Sequence, residues 1–209
     1  MLRDNCLAVS GRLVQKIGGP PVKPYEVEAS FKPTNRDKGD GLYRRSLYTY
    51  WKRTGPAPMM MVLDAAKRDV CRVQRERTSS PLQAFVLLNG PQFVEAARGL
   101  SEQLIVLHSN DSNDRDTSDS ETKDDEIENV LRDAFRRLTS RQPSSDEVAV
   151  LIELYSAQLE YFRSHAEETK SFLAVGDAVA NSECDSSQLA ATTVVVGTLL
   201  NYDESVMKR

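Results

Sequence analysis

The chain has 209 residues, 40% of them hydrophobic and 28% charged, with a formal net charge of -4 at pH 7. That length and apolar content suffice for one domain or two small ones around a genuine core. They exclude a membrane-spanning reading, because no apolar run approaches the roughly 20 residues a span needs.

In chain order, residues 2–17 carry an apolar stripe at Leu2, Cys6, Leu7, Val9 and Leu13 that predicts a helix, stopped by Gly18 and Gly19 ahead of Pro20 and Pro21. The opening six residues contain Asp4 and no sustained apolar core, so they do not read as a signal peptide. From Gly18 to Gly41, glycines, prolines and charges without periodicity predict irregular structure, with at most a short strand around Tyr25 to Phe31. Leu47 to Trp51 is aromatic and partly β-branched, which favours a second short strand ended by Pro56 and Pro58. Met59 to Val70 fits either a strand with a helical turn or one short helix.

Ser80-Pro81-Leu82-Gln83 is a helix start: the serine can accept the orphan amide at N3, proline fits N1, and Gln83 can close a capping box. Asn89-Gly90-Pro91 breaks that helix and begins another, with Phe93, Val94, Ala97, Leu100, Leu104, Ile105 and Leu107 on one side. Residues 109–126 are almost wholly Ser, Asn, Asp, Glu and Thr and predict a disordered acidic linker, since they bury too little apolar area to offset ordering entropy. Ile127 to Leu138 then repeats at 3/4 spacing, and Ser144 with Glu147 forms a second capping box before a helix from Ser145 to about Ala166. A weaker segment near Ser171 to Ala180 precedes a final helix from Ser187 to about Tyr202. Its run Leu189 to Leu200, broken by Thr192, Thr193 and Thr198, predicts burial.

The fold class expected is mainly α, with an irregular N-terminal half holding one or two short strands and a helical C-terminal half. The chain divides into 1–108, a linker at 109–126, and 127–209. Residues 1–107 contain 17 Lys+Arg against 10 Asp+Glu, while residues 108–209 contain 10 against 21. Such polarity fits an anion-binding N-terminal half, or one half facing the other with an acidic linker in solvent.

The candidate site is the cation and aromatic cluster Arg44, Arg45, Tyr48, Tyr50, Trp51, Lys52, Arg53, Arg72, Arg75 and Arg77. Guanidinium forks bind phosphate, sulfate or carboxylate through paired hydrogen bonds, and the aromatic rings can stack on a sugar or base. The structural alternative is that these arginines pair within the chain and cover apolar surface with their stems. In a strand Arg44 and Arg45 face opposite sides, which would split the cluster. Net acidity and the lack of a binding motif argue against nucleic acid.

No catalytic residue, metal site or cofactor is read from the sequence. Asn35 to Gly41 departs from a calcium loop, with Asp40 where the turn glycine belongs and Ser46 in place of the closing glutamate. Gly39-Asp40-Gly41 lacks the third glycine of a dinucleotide fingerprint. Cys6, Cys71 and Cys184 form neither a disulfide framework nor a haem-attachment pattern, and one disulfide remains open. His108 and His165 lie apart near polar helix ends and read as exposed, without zinc-site spacing.

Arg44 to Thr54 and Arg75 to Asn89, together with Leu2-Arg3-Asp4-Asn5, Val9 to Leu13, Gly18 to Val22, Asn89 to Arg98, Ala134 to Thr139 with Arg141 to Ser144, and Leu199 to Glu204, form an ordered series. The series resembles the planctomycete-specific C-terminal domain of unknown function (family 1553), found in large exported proteins that often also carry a cytochrome-c-like domain. The resemblance covers the C-terminal part of that domain, and implies contact with an upstream portion near residues 2–17, Leu47, Trp51 and Met59 to Val62. It implies a non-catalytic structural or interaction module in a larger exported protein, with no established activity. Two alternatives stand beside it: an enzyme-associated domain recognising an anionic polymer such as a sulfated polysaccharide, and a truncated gene product without independent function. The partners expected are the upstream portion or another protein, an anionic polymer, or a second copy through self-association.

Overall fold

The computed structural model describes the backbone of residues 2–24, 35–52, 57–66, 71, 73–74, 78–113 and 120–206, with side chains except at 111–113 and 120–124. The first helix, α1, is Leu2–Val9. It ends at Gly11 rather than at Gly18-Gly19. Gly11 takes φ 67°, its N–H donates to Ala8 O at 3.1 Å, and the Arg12 N–H reaches back to Leu7 O at 2.9 Å. This is the paired closure of a Schellman motif, open to the first residue that adopts a left-handed conformation without a Cβ clash.

Among the described residues that follow, no sheet forms. Val14 makes an isolated bridge with Arg44, and Val22 another with Thr49. The strand expected over Leu47 to Trp51 is replaced at its start by a 3-10 turn, Ser46–Tyr48. The Asp4 carboxylate accepts from the Ser46 N–H at 2.8 Å and from its Oγ at 2.6 Å, which favours a turn over extended pairing. The strand expected at Tyr25 to Phe31 lies outside the described residues.

Helix α2, Pro58–Val62, settles the first part of the Met59 to Val70 ambiguity as helix. Helices α3, Pro81–Asn89, and α6, Ser145–Ser164, begin with the two capping boxes expected. Ser80 Oγ accepts from the Gln83 N–H and Ser144 Oγ from the Glu147 N–H, both at 3.3 Å. Ser80→Ala and Ser144→Ala are each expected to lower unfolding free energy by about 0.5–2 kcal/mol in urea titrations, and two neutral results would reject capping at these sites.

Helix α4 is Pro91–Asn113 and α5 is Ser120–Thr139. Both run further into the acidic stretch than its composition suggests, so 109–113 and 120–126 have helical backbone; 114–119 lie outside the described residues. Ser109 Oγ helps to join the two ends, donating to Ile105 O at 2.8 Å and to Glu126 Oε1 at 3.1 Å. Helix α7, Ala166–Leu173, occupies the weaker segment. α8, Ser186–Leu200, and α9, Asp203–Val206, follow.

Helix α8 sits at the centre, against α4, α5, α6 and α7. Leu189, Ala190, Ala191, Val195 and Val196 are buried with Thr192 and Thr193. The threonine hydroxyls donate to Gln188 O at 2.9 Å and Leu189 O at 2.7 Å, which removes the cost of burying them. Phe93, Leu100 and Leu104 of α4 and Leu131 and Phe135 of α5 belong to the same core. The fold is therefore mainly helical, but it does not divide into an irregular first half and a helical second half, since α1, α3 and α4 precede the acidic stretch and α4 shares the centre.

At the α5–α6 turn, Arg141 forks onto Glu147 at 2.6 and 2.8 Å, reaches Glu204 of α9 at 2.7 Å, and lies 4.7 Å over the Phe135 ring. Its hydrogen bonds, followed by the Ser144 backbone bond, hold the Glu147 carboxyl down at about 2. Because the folded-state value is depressed, the associated stability is fully present above the usual carboxylate range and is lost as pH falls toward 2. The stability difference between the parent chain and Glu147→Gln is expected to be constant from pH 7 to about 5 and to shrink toward pH 2. Urea titrations across that range check it; a difference unchanged at pH 2 would exclude the carboxylate as its source.

Candidate functional site

Of the cluster anticipated from sequence, Arg44, Arg45, Tyr48, Tyr50, Trp51 and Lys52 lie among the described residues. Arg44 is buried, donating from Nη1 to Pro20 O at 3.1 Å and from Nη2 to Lys16 O at 3.1 Å and Gly18 O at 2.5 Å. Its guanidinium lies 4.0 Å over the Tyr48 ring, whose hydroxyl accepts from the Gly18 N–H at 3.0 Å. Arg44 and Tyr48 thus hold the 16–20 loop. Arg45 is exposed, as are Leu47 and Tyr50, while Trp51 and Lys52 are half-buried. Lys23 Nζ lies 5.4 Å from the Tyr50 ring centre. Arg53, Arg72, Arg75 and Arg77 lie outside the described residues.

A second buried arginine, Arg3, lies outside the candidate cluster. It donates to Leu42 O at 2.5 Å, to Arg44 O at 2.8 Å and to Gln92 Oε1 at 2.8 Å. Its only local signal is a cation placed among the apolar residues of α1.

The densest polar constellation is elsewhere. Glu95, Arg98 and Glu102 repeat at 3/4 spacing along α4, a pattern visible in the sequence beside the apolar stripe but not distinguished from a solvated face. Tyr43 donates to Glu95 Oε1 at 2.5 Å, and the backbone N–H groups of Asp177 and Ala178 donate to the same carboxylate at 3.2 and 3.1 Å. Arg98, 1% exposed, donates to the carbonyls of Leu173, Val175 and Ala178 and lies 3.5 Å from Glu102. Arg12 approaches Glu102 at 3.4 Å and Glu95 at 3.9 Å. Gly176, at φ 101°, passes so close that a Cβ there would stand 2.5 Å from Glu95 Oε2.

Burial raises the Tyr43 phenol above its ordinary value, reinforced by its bond to Glu95, and burial lowers the Arg98 guanidinium. The cavity beside Tyr43, Arg12 and Glu95 is only about 10 Å³, near the minimum for one water. These groups therefore clamp the 173–178 loop onto α4, with no space for a substrate between them.

Cys6 is buried and its thiol is pushed up to about 12, chiefly by desolvation. His108 is only 20% exposed, with Nε2 at 3.8 Å from Asp133, so the expected exposure does not hold there. His165 is exposed and stacks on Tyr161 at 4.3 Å. Among the described residues no group of His, Cys, Asp and Glu is arranged to hold a metal ion, and no helix is long and apolar enough to cross a membrane.

Two surfaces among the described residues expose apolar side chains. Helix α3 has no ionisable residue; Leu87 enters the core while Leu82, Phe85 and Leu88 are 56%, 63% and 42% exposed. Between α5 and α6 lies a groove of about 850 Å³, lined by Ile127, Ile152, Tyr155 and Leu159 with Asp125 and Glu160 among its polar residues.

No curated protein and no solved structure matches the chain. A family model does match, over residues 1–155, which includes the two segments around Arg44 and Ser80 but neither the loop that Glu95 and Arg98 hold nor α8. On that match the chain belongs to the PSD1 family (DUF1553), described as proteins of unknown function.

Proposed function

We propose that the chain is a non-catalytic structural or interaction module of a larger protein. The observation that carries this reading is α3, apolar on the side that packs inward and on the side that meets water. A helix with no charged face is suited to contact on both sides. The groups with the most chemistry to offer, Glu95, Arg98 and Tyr43, meanwhile hold the fold's own backbone and one another.

A photo-crosslinking residue placed at Phe85, with exposed Glu167 as control, tests the reading in cells producing the full protein. Crosslinks to identified protein peptides at position 85 and not at 167 are expected. Equal yields at both positions, or no protein crosslink at 85, would remove it.

A second reading, recognition of an anionic polymer, draws on exposed Arg45 and Tyr50 with Lys52 on the same short stretch. It predicts that Arg45→Glu with Lys52→Glu weakens binding to a sulfated polysaccharide by at least about tenfold, through loss of charge-assisted hydrogen bonds. Unchanged binding, or none by the parent chain, would reject it.

A further inference from the structure

The segment joining α7 to α8 is held on α4 through its main chain. Arg98 donates to the carbonyls of Leu173, Val175 and Ala178, while Glu95 accepts from the N–H groups of Asp177 and Ala178 and Glu102 accepts from the Asn181 N–H at 3.1 Å. The side chains of the segment hold much less. None from Ala174 to Asn181 is buried, Val179 is 92% exposed, Ala180 packs against the core only in part, and Asp177 pairs with Arg36 at the surface. We infer that residues 174–181 form a strap that lifts from α4 as one unit while the helical core stays folded, giving the chain a covered and an uncovered form of the same α4 face.

Both ends of the strap are closed without help from α4. The Ala174 N–H donates to Lys170 O at 3.0 Å and the Val175 N–H to Phe172 O at 3.2 Å, which finishes α7. Asp185 accepts from the Gln188 N–H at 2.8 Å, which starts α8, and Asn181 Oδ1 accepts from the Glu183 N–H at 3.0 Å. The helices on either side therefore keep their terminal bonds when the strap is away. The face it leaves is balanced in charge: Arg12 lies 3.4 Å from Glu102 and 3.9 Å from Glu95, and Arg98 lies 3.5 Å from Glu102. Lifting the strap thus exchanges main-chain hydrogen bonds for water and strands no charge, whereas α8 can leave only by exposing Leu189, Val195 and Val196. Release is collective because Ala178 is bonded by both Arg98 and Glu95, and Arg98 reaches from Leu173 to Ala178, so a break at one point loosens the rest.

Closure depends on Gly176, whose φ of 101° favours glycine and where a Cβ would stand 2.5 Å from Glu95 Oε2. With the strap docked, Arg98 is 1% and Glu95 3% exposed, so these charged groups meet solvent only in the uncovered form. The strap is a gate over the densest polar constellation of the fold.

Native-state hydrogen exchange of the full chain at rising, sub-denaturing urea, read by NMR, tests this. The amides of Asp177, Ala178 and Asn181 should share one opening equilibrium and be protected at least about tenfold less than those of Val195 and Val196 in α8. Their protection should hardly change with urea, because lifting exposes little surface, while that of the α8 amides should fall steeply. Exchange of the three amides at unrelated opening equilibria, or with the urea dependence of α8, would overturn the inference. Gly176→Val, which bars closure, supplies a second measurement. It should strip protection from all three amides and leave α8 protected with a cooperative melt; a lost melt, or protection at 177, 178 and 181 equal to the parent's, would overturn the inference as well.

Discussion

A chain ending after residue 155 is expected to show no cooperative unfolding transition. Everything in such a fragment that the family model matches would be present, yet α8 would be missing, and α8 lies against α4, α5, α6 and α7 at once. Leu189, Val195, Val196, Leu199 and Leu200 are buried on it, and at about 1.5–3 kcal/mol for each large apolar side chain the loss is on the order of 10 kcal/mol. That equals the whole net stability of a typical domain, roughly 5–15 kcal/mol. Without α8, the buried faces of Leu100, Leu104 and Leu131 would meet water. The fragment should bind a hydrophobic dye and melt without a sigmoidal transition, while Leu189→Ala in the full chain should cost about 2–5 kcal/mol and keep the transition. A fragment 1–155 with a sharp melt near that of the full chain would show that α8 is dispensable to the core.

The second large effect is expected at Arg98. Arg98→Met should lower unfolding free energy by about 3–5 kcal/mol, the scale of leaving three carbonyls without their common donor at roughly 1–3 kcal/mol each, while Glu102 keeps Arg12 at 3.4 Å. Glu102 would lose its i,i+4 partner, and the carbonyls of Leu173, Val175 and Ala178 would lose a common donor. Arg98→Lys should recover little, because one ammonium cannot reproduce a planar fork aimed at three carbonyls. Arg98→Met combined with Glu102→Gln should cost less than the sum of the single changes, since either change alone already removes the Arg98–Glu102 ion pair. Guanidinium titrations of the four chains give the coupling; strict additivity would mean that the pair does not act as a unit.

What could be read beforehand follows the range of the interactions. The Ser80 and Ser144 capping boxes join residues three positions apart and depend on side-chain geometry local to each helix start, so residue order alone locates them. The burial of Leu189 to Leu200 was equally legible, since a run that apolar has no solvated face to offer. Gly11 ended α1 early because its left-handed backbone closed the Schellman motif, and a glycine in a stripe does not announce which conformation it will take. The strand expected over Leu47 to Trp51 gives way to a turn at its start because Asp4, over 40 positions earlier, caps Ser46. Arg44 and Glu95 drew their roles from loops at 16–20 and 176–178, partners that neither residue type nor spacing can specify. The arginine cluster was therefore visible as chemistry but not as a set of contacts, and the Glu95 clamp depended on pairings some 80 residues apart.

The position of α8 also orders events during synthesis. Helix α4 is complete at residue 113 and α8 only at residue 200. At about 5–20 residues per second, the ribosome leaves α4 waiting on the order of five to fifteen seconds for the helix that closes its core. During that interval the nascent chain carries Phe93, Leu100 and Leu104 without their central neighbour, and native packing cannot be completed domain-first from the N-terminus. Packing of this core thus waits for α8, and codon changes that slow translation between residues 113 and 200 should lengthen the period in which it depends on chaperones.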